Sequence, residues 1–480
     1  MSATMRRLSG QDAIFVYAET PNMPMHTMGT TLLDPSGVEG RFGYEEIVET
    51  VASRVHLMPP FRQRLLEVPL GLGHPFLVED PDFRAEHHLH RRQLPGPGTM
   101  QELAELVGEL SATLLDRTKP LWEMWVVEGL ETGEIALVSK MHHCMIDGAS
   151  GSSQMAQLMD LEPRPAPRAP APHFDPPPLP SALGLARRSV GSRLVSPLQL
   201  GRLAFRTGRG LLARRRAELE FPHASEADGG EVPGPFETAP ETPWSGALTR
   251  NRAVAYGSAP LDDVKFVKDA FGVTVNDAVL AACTLAVRSY LGERGEYPER
   301  PFQCLVPVSL KSDQEKTEFS NKVSMLNVDL PTQLDDPAEV IEVVHRETAR
   351  AKRVFEAVTD DLVAPWLELA PPVLSALGAR LYSELGLADY APPIANLVAS
   401  NMMGPPVPLY FGGARVTAVY PMGPVGEGFG LNLTVLSNMG RLDLGVMACR
   451  ERIPEPFAIA DAFTQAVADL RLAAEKKLSA

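Results

Sequence analysis

No stretch of the 480-residue chain approaches the roughly 18 consecutive apolar residues that span a bilayer. The longest clean run, Ala278 to Val287, is interrupted by Thr284 and ended by Arg288. Arg6-Arg7 near the start have no apolar segment behind them, and Gln11-Asp12 follow at once, which reads against a secretory leader. Cysteine is scarce. Cys144, Cys283, Cys304 and Cys449 lie far apart without metal-type spacing. Neither a disulfide framework nor a cysteine metal centre is expected, and a reduced, cytoplasmic chain is the simple reading. Positive charge is in short supply as well. The formal net charge is −15, which argues against general nucleic-acid binding. Short repeats of the solenoid type are absent.

What remains is ordinary for a globular protein: 44% apolar and 22% charged residues, in a chain long enough for two or more cores. Residues 163 to 180 hold nine prolines and read as a partly extended linker. Residues 187 to 216 then carry nine arginines and no acid or lysine, so basic character is confined to one place. Leu194, Leu198, Phe205 and Leu212 recur there at near-heptad spacing, with Arg202, Arg206 and Arg209 on a neighbouring face. Pro197, Gly201, Gly208 and Gly210 weaken that stretch as a helix. The acidic, Gly/Pro-rich segment from Glu218 to Thr242 reads as a loop. The boundaries predicted are an N-terminal half at 1–162, a connector at 163–242 and a C-terminal half at 243–480. Each half mixes strand-like and helix-like segments, which predicts an α/β or mixed α+β class. Strands are expected at Leu121–Val127, Ile135–Met141 and Phe302–Val308, and helices at Tyr44–Arg54, Met100–Leu115, Gln154–Leu161, Asn276–Leu291 and Pro454–Lys477. A hairpin is expected across Asn438-Met439-Gly440.

One stretch stands out: His142-His143-Cys144-Met145-Ile146-Asp147-Gly148. It follows the alternating segment Ile135 to Met141, so the paired histidines sit where a strand ends and the chain turns. Imidazole is the side chain best suited to take a proton near neutral pH. Neighbours on a strand point to opposite faces, so His142 and His143 cannot both hold one ion, and no third ligand is evident. By the same geometry a Cys144 nucleophile would point away from His143. His87-His88-x-His90 reads as a solvated loop among arginines, and Trp122 and Trp125 as core. Asn276-Asp277 reads either as a helix cap or as part of a site.

These residues and several ordered companions resemble the bacterial wax ester synthase/diacylglycerol acyltransferase family. His142 to Gly148 is similar to its His-His-x-x-x-Asp-Gly motif, and Pro120-Leu121-Trp122 to the block upstream. Leu8-Ser9 with Asp12, then Pro24-Met25-His26, resemble its opening. Asn276-Asp277, Pro307-Val308-Ser309, Leu330-Pro331, Ser400-Asn401, Gly423-Pro424 and Gly430-Leu431-Asn432 resemble later blocks in order. Phe319-Ser320-Asn321 and Cys449-Arg450 depart from the pattern.

The resemblance implies two similar halves of the chloramphenicol acetyltransferase type with a tunnel between them. It implies an acyl-coenzyme A co-substrate, no cofactor and no metal, and a lipophilic alcohol acceptor, diacylglycerol or a long-chain alcohol. It implies His143 as general base and Asp147 as an orienting group or a structural salt bridge, with Gly148 admitting close backbone approach. Asn276 and Asp277 would face or brace the tunnel, and Ser309 would be an oxyanion donor. Two other readings share part of the pattern: the same fold acting on a polyketide or carrier-bound acceptor, and a non-catalytic lipid-binding protein. For the arginine stretch, a solvated crossover and a contact of Arg202, Arg206 and Arg209 with a membrane or lipid droplet are both open. The second would place the protein on the inner face of the plasma membrane or on droplets.

Overall fold

Two six-stranded mixed sheets organise the chain. The computed structural model describes residues 5–145, 157–165, 176–190, 197–221, 238–309, 323–357 and 364–479. Its strands are β1 (Met5–Arg7), β2 (His26–Asp34), β3 (Gln63–Leu66), β4 (Phe76–Glu79), β5 (Leu89–Gln93), β6 (Trp122–Glu128), β7 (Ile135–His142), β8 (Arg252–Pro260), β9 (Phe302–Ser309), β10 (Val323–Leu330), β11 (Leu397–Met402), β12 (Tyr410–Phe411), β13 (Ala414–Met422), β14 (Leu431–Asn438) and β15 (Arg441–Cys449). The first large sheet has the order β12-β13-β2-β7-β6-β5, and the second β10-β9-β11-β14-β15-β8. A three-stranded sheet, β1-β4-β3, flanks the first. The helices are α1 (Gly10–Ala18), α2 (Tyr44–Arg54), α3 (Met100–Ser111), α4 (Ala182–Val190), α5 (Pro197–Glu220), α6 (Leu261–Phe271), α7 (Val275–Gly292), α8 (Pro337–Ala357), α9 (Ala364–Leu369), α10 (Pro372–Glu384) and α11 (Pro456–Ser479). The mixed α/β class is as expected.

The predicted halves are not separate in space. β12 and β13 belong to the C-terminal half by sequence, yet they complete the first sheet, with β13 antiparallel to β2. They run close to the second sheet on the way. The backbone N–H of Val419 donates to Asp443 Oδ2 at 3.0 Å, and a side chain at Gly445 would meet the Pro421 carbonyl at 2.0 Å, so only glycine allows the approach. A buried cluster with Leu32, Val138 and Ala418 from the first sheet and Val254, Tyr256 and Met447 from the second fills the junction. Tyr256 OH and Thr30 Oγ1 share a hydrogen bond of 3.1 Å across it. Local pattern reveals a strand but not its partner, and that is why the boundary at 243 misses the crossing.

The connector also departs from expectation. Residues 197–220 form one 24-residue helix despite Gly201, Gly208 and Gly210, and 182–190 form another. Tertiary anchors outweigh the glycine penalty of about 1 kcal/mol each. α5 packs on α8, Phe221 O accepts from Arg350 Nε at 2.9 Å, and Thr207 Oγ1 accepts from Trp366 Nε1 at 2.9 Å. The helix-like run predicted to Leu161 ends by Leu158, and Asp160 instead pairs with Tyr410.

In the second half α7 is the buried central helix, and α11 packs beside it through Phe463, Val467 and Leu470. Among the described residues no single helix is long and apolar enough to cross a membrane. Thr274 and Asp277 form a capping box at the start of α7. Asp277 Oδ2 also accepts from His345 Nδ1 at 2.8 Å, and Oδ1 from Thr348 Oγ1 at 2.6 Å. Burial works against the Asp277 charge, but the bonds from Thr348, His345 and Thr274 outweigh it and hold its carboxyl below the usual range. Asp277 is therefore a brace between α7 and α8. Asp277→Ala is expected to cost about 2–3 kcal/mol, read as a lower urea midpoint. Because the folded pKa is depressed, this contribution is present above the ordinary carboxyl pKa and is lost as pH falls through the folded value.

Candidate active site

β7 is buried along its whole length, between β2 and β6. Even Lys140 is enclosed: its ammonium donates to the carbonyls of Leu110 (2.9 Å) and Thr113 (2.5 Å) and to Thr113 Oγ1 (3.0 Å). Burial lowers its pKa to about 8. The strand ends at His142, and His143 begins a turn. The two histidines then face very different surroundings.

His142 points inward and is fully buried. It sits in register with His26 of β2, and both Nε2 atoms approach Glu19 Oε1, at 3.3 Å and 3.2 Å. Glu19 follows α1 directly and is itself buried; its Oε2 accepts from Arg117 at 2.9 Å. Burial disfavours the Glu19 carboxylate, but the two imidazoles outweigh that and hold it ionised, well below the usual range. Burial likewise lowers His26 to about 4, so it is neutral at pH 7. At His142, burial opposes a second ring proton while Cys144 and Glu19 favour one. The backbone N–H of Cys144 donates to Nδ1 at 3.1 Å. That direct bond needs a lone pair on Nδ1, so the ring is neutral with its proton on Nε2 toward Glu19. His142 is thus committed to a buried network.

His143 is half-buried, and Nδ1 lies on its buried side. Its ring stacks on Phe15 of α1, with centroids 4.0 Å apart and planes 17° apart. Its backbone N–H donates to Met25 O at 2.8 Å, and the Met25 N–H in turn reaches Glu19 Oε1 at 3.3 Å. One carboxylate therefore supports both the strand end and the segment that clamps His143. Glu19 and Phe15 were not singled out from the sequence, and Met25 stood there only inside a family-like block. Only the Pro24-Met25-His26 block hinted at them, because an isolated acid seven residues upstream carries no periodic signal.

Other expectations divide. Trp122 and Trp125 are core, and the Pro120-Leu121-Trp122 block braces the strand end. Leu121 O accepts the His142 N–H at 3.0 Å, and Trp122 Nε1 donates to Phe61 O at 2.8 Å. Asn432, of the Gly-Leu-Asn block, donates through Nδ2 to Pro424 O at 3.2 Å, tying two blocks together. The solvated-loop reading of His87 to His90 fails at His88. That ring is buried, stacks on Trp122 and bonds Trp122 O at 2.8 Å, and burial lowers its pKa to about 4. Cys144 is fully buried, but it lies in the turn and not on a strand, which corrects the reason for setting it aside. Among the described residues no group of three His, Cys, Asp or Glu could hold a metal ion. Asp147, Gly148 and the side chain of Ser309 lie outside the described residues, as does Phe319-Ser320-Asn321. Asn276 is half-buried in the first turn of α7.

The family model described as the wax ester synthase/diacylglycerol acyltransferase catalytic domain matches residues 8–279, and the C-terminal domain model of the same family matches residues 319–471. The chain belongs to this family. A Mycobacterium tuberculosis (strain CDC 1551 / Oshkosh) protein provisionally named diacylglycerol O-acyltransferase is 35% identical over 473 residues, covering 98% of this chain and 90% of its own. A wax ester synthase/diacylglycerol acyltransferase from Marinobacter aquaeolei VT8 superposes with a TM-score of 0.69 at 26% identity, covering 98% of this chain and 99% of that one. The starter condensation domain of rhizomide synthetase, at 13% identity and a TM-score of 0.55 over 98% of this chain and 95% of its own, shows the shared fold. Family membership places the strand-end histidines within the matched catalytic domain.

Proposed function

We propose that this acyltransferase joins a long-chain acyl group from acyl-coenzyme A to the hydroxyl of diacylglycerol or of a long-chain alcohol, with His143 as general base. The observation that carries the assignment is the contrast between neighbours: His142 is fully buried against Glu19 and the Cys144 N–H, while His143 is only partly buried and its ring plane is set by Phe15. In this reading His143 accepts the hydroxyl proton as the alcohol oxygen attacks the thioester carbonyl. The tetrahedral intermediate then collapses, the C–S bond breaks, and the imidazolium returns the proton to the departing thiolate. The products are one ester and one free thiol, and no acyl-enzyme is required. Asp147, Gly148, Asn276 and Ser309 keep the roles that the resemblance implies for them. Asp277 acts at a distance, by holding α7 against α8.

Acceptor choice follows from a product assay. Palmitoyl-coenzyme A with dioleoylglycerol is expected to yield triacylglycerol, and with hexadecanol a wax ester. Hydrolysis to palmitate alone with both would overturn the reading. Such acceptors dissolve in membranes, which favours a peripheral contact with the cytoplasmic face of the membrane or with droplets through Arg202, Arg206 and Arg209. These three are exposed along α5, beside exposed Phe205 and Leu212. The side chain of Leu198 lies outside the described residues.

A further inference from the structure

An exposed apolar row lies on the helix that follows α9 in the chain. α10 turns Val373 (54% exposed), Leu374 (66%), Leu377 (49%) and Leu381 (45%) to one side, and Leu385 (63%) extends the row beyond its end. At 100° per residue these positions fall within an arc of about 120°. Arg380 and Glu384 pair with each other at 2.7 Å along one edge. Leu70, at φ +57° and 87% exposed, adds to the same surface, since Gly71 beside it abuts Val373. A contiguous apolar surface on a chain of ordinary composition marks an interaction site.

Charge identifies the occupant. Trp366 of α9, two residues before Glu368, ties this region to α5 through Thr207. α5 carries six arginines, against Glu218 and Glu220 in its last turn, in a chain of net charge −15. An anionic lipid surface attracts the α5 arginines, while the net negative charge of the rest of the chain opposes contact elsewhere. Arginines joined through a tryptophan to an exposed apolar helix are the pattern of an interfacial surface.

The position of α10 gives the contact a use. Its other side packs on α1, and Ser383 Oγ and Thr20 Oγ1 share a hydrogen bond of 3.1 Å one residue from Glu19. Gly10 N donates to Glu368 at 2.7 Å. α1 is the helix whose Phe15 stacks on His143. The surface therefore lies one helix away from the proposed base.

We infer that the apolar side of α10, with Leu70 and the α5 arginines, is where the protein docks on an anionic lipid surface, presenting the α1 side of the His143 site to acceptor dissolved in that lipid. The use assigned to the contact rests on the acyltransferase reading, while the docking itself does not. The test is co-sedimentation of the full-length chain with phosphatidylcholine/phosphatidylglycerol vesicles, comparing wild type with the triple variant Leu374→Ser/Leu377→Ser/Leu381→Ser. Unchanged circular dichroism and melting temperature in the variant are the control for folding. The apparent affinity is expected to fall at least 10-fold in the variant, and that of wild type to fall similarly on pure phosphatidylcholine. Turnover on vesicle-borne dioleoylglycerol should drop in parallel, while turnover on water-soluble 1-butanol stays within twofold. Unchanged sedimentation overturns the proposal. So does a wild-type dimer that the triple variant converts to a monomer, which would assign the surface to a second copy of the chain. Vesicle binding by wild type without turnover on any acceptor would remove the acyltransferase reading and leave the docking surface standing.

Discussion

Glu19→Ala is expected to unfold at a clearly lower denaturant concentration than wild type and to lose most of its turnover. The side chain is 2% exposed and receives contacts from His26, His142, Arg117 and the Met25 N–H. Removing one partner of a buried charged network leaves the others desolvated and unanswered, at a cost of about 3–5 kcal/mol. Turnover suffers because the Met25 segment clamps the His143 backbone. A displacement of about 1 Å at a catalytic group can cost on the order of 10²-fold. Glu19→Gln retains an acceptor at Oε1 and is expected to recover most of the stability. Equal stability of the alanine variant and wild type would show that the network holds nothing in place. Two buried histidines, His26 in this cluster and His88 against Trp122, set an acid limit. His26 and His88 are neutral in the fold with pKa values near 4, against about 6.5 in the unfolded chain. The unfolded state therefore binds more protons below that value, and stability falls as pH drops from about 6.5 toward 4.

His143→Ala is expected to lower kcat by about 10²–10⁴-fold, the usual contribution of a positioned general base, with little change in stability. The residue is half-buried in a turn, and the bond that fixes the turn, from its N–H to Met25 O, belongs to the backbone and survives the substitution. His142→Ala should show the opposite balance. It removes a fully buried ring that links Glu19 to the Cys144 N–H, so stability falls first and turnover follows from lost geometry. Wild-type turnover from a folded His143→Ala protein would remove His143 from the chemistry. The contrast between the two variants, measured as turnover and as urea midpoint on the same preparations, separates a base from a brace.

Much of this was legible from residue pattern alone. Alternation located β7 to within one residue, and the strand's period of two separated the surroundings of the paired histidines at its end. The cap expected at Asn276-Asp277 was right in place, although the capping residue is Thr274, with Asp277 three residues on completing the box. What escaped was whatever depends on partners far away in sequence. Glu19 looks like any exposed acid until β2 and β7 bring His26 and His142 onto it. β13 looks like any strand of the second half until it crosses to pair with β2. His88 sits among arginines in sequence but against Trp122 in space. α5 looked too rich in glycine to be a helix, and its contacts with α8 and α9 reversed that balance.

Release of free thiol from palmitoyl-coenzyme A by the purified protein, followed with and without dioleoylglycerol, tests the central claim most directly. Wild type is expected to release thiol only when acceptor is present, one thiol per triacylglycerol formed, and His143→Ala to abolish the acceptor-dependent release. Thiol release at the same rate without acceptor, or a burst of one thiol per chain with acyl group left on the protein, would contradict direct transfer to a hydroxyl activated by His143.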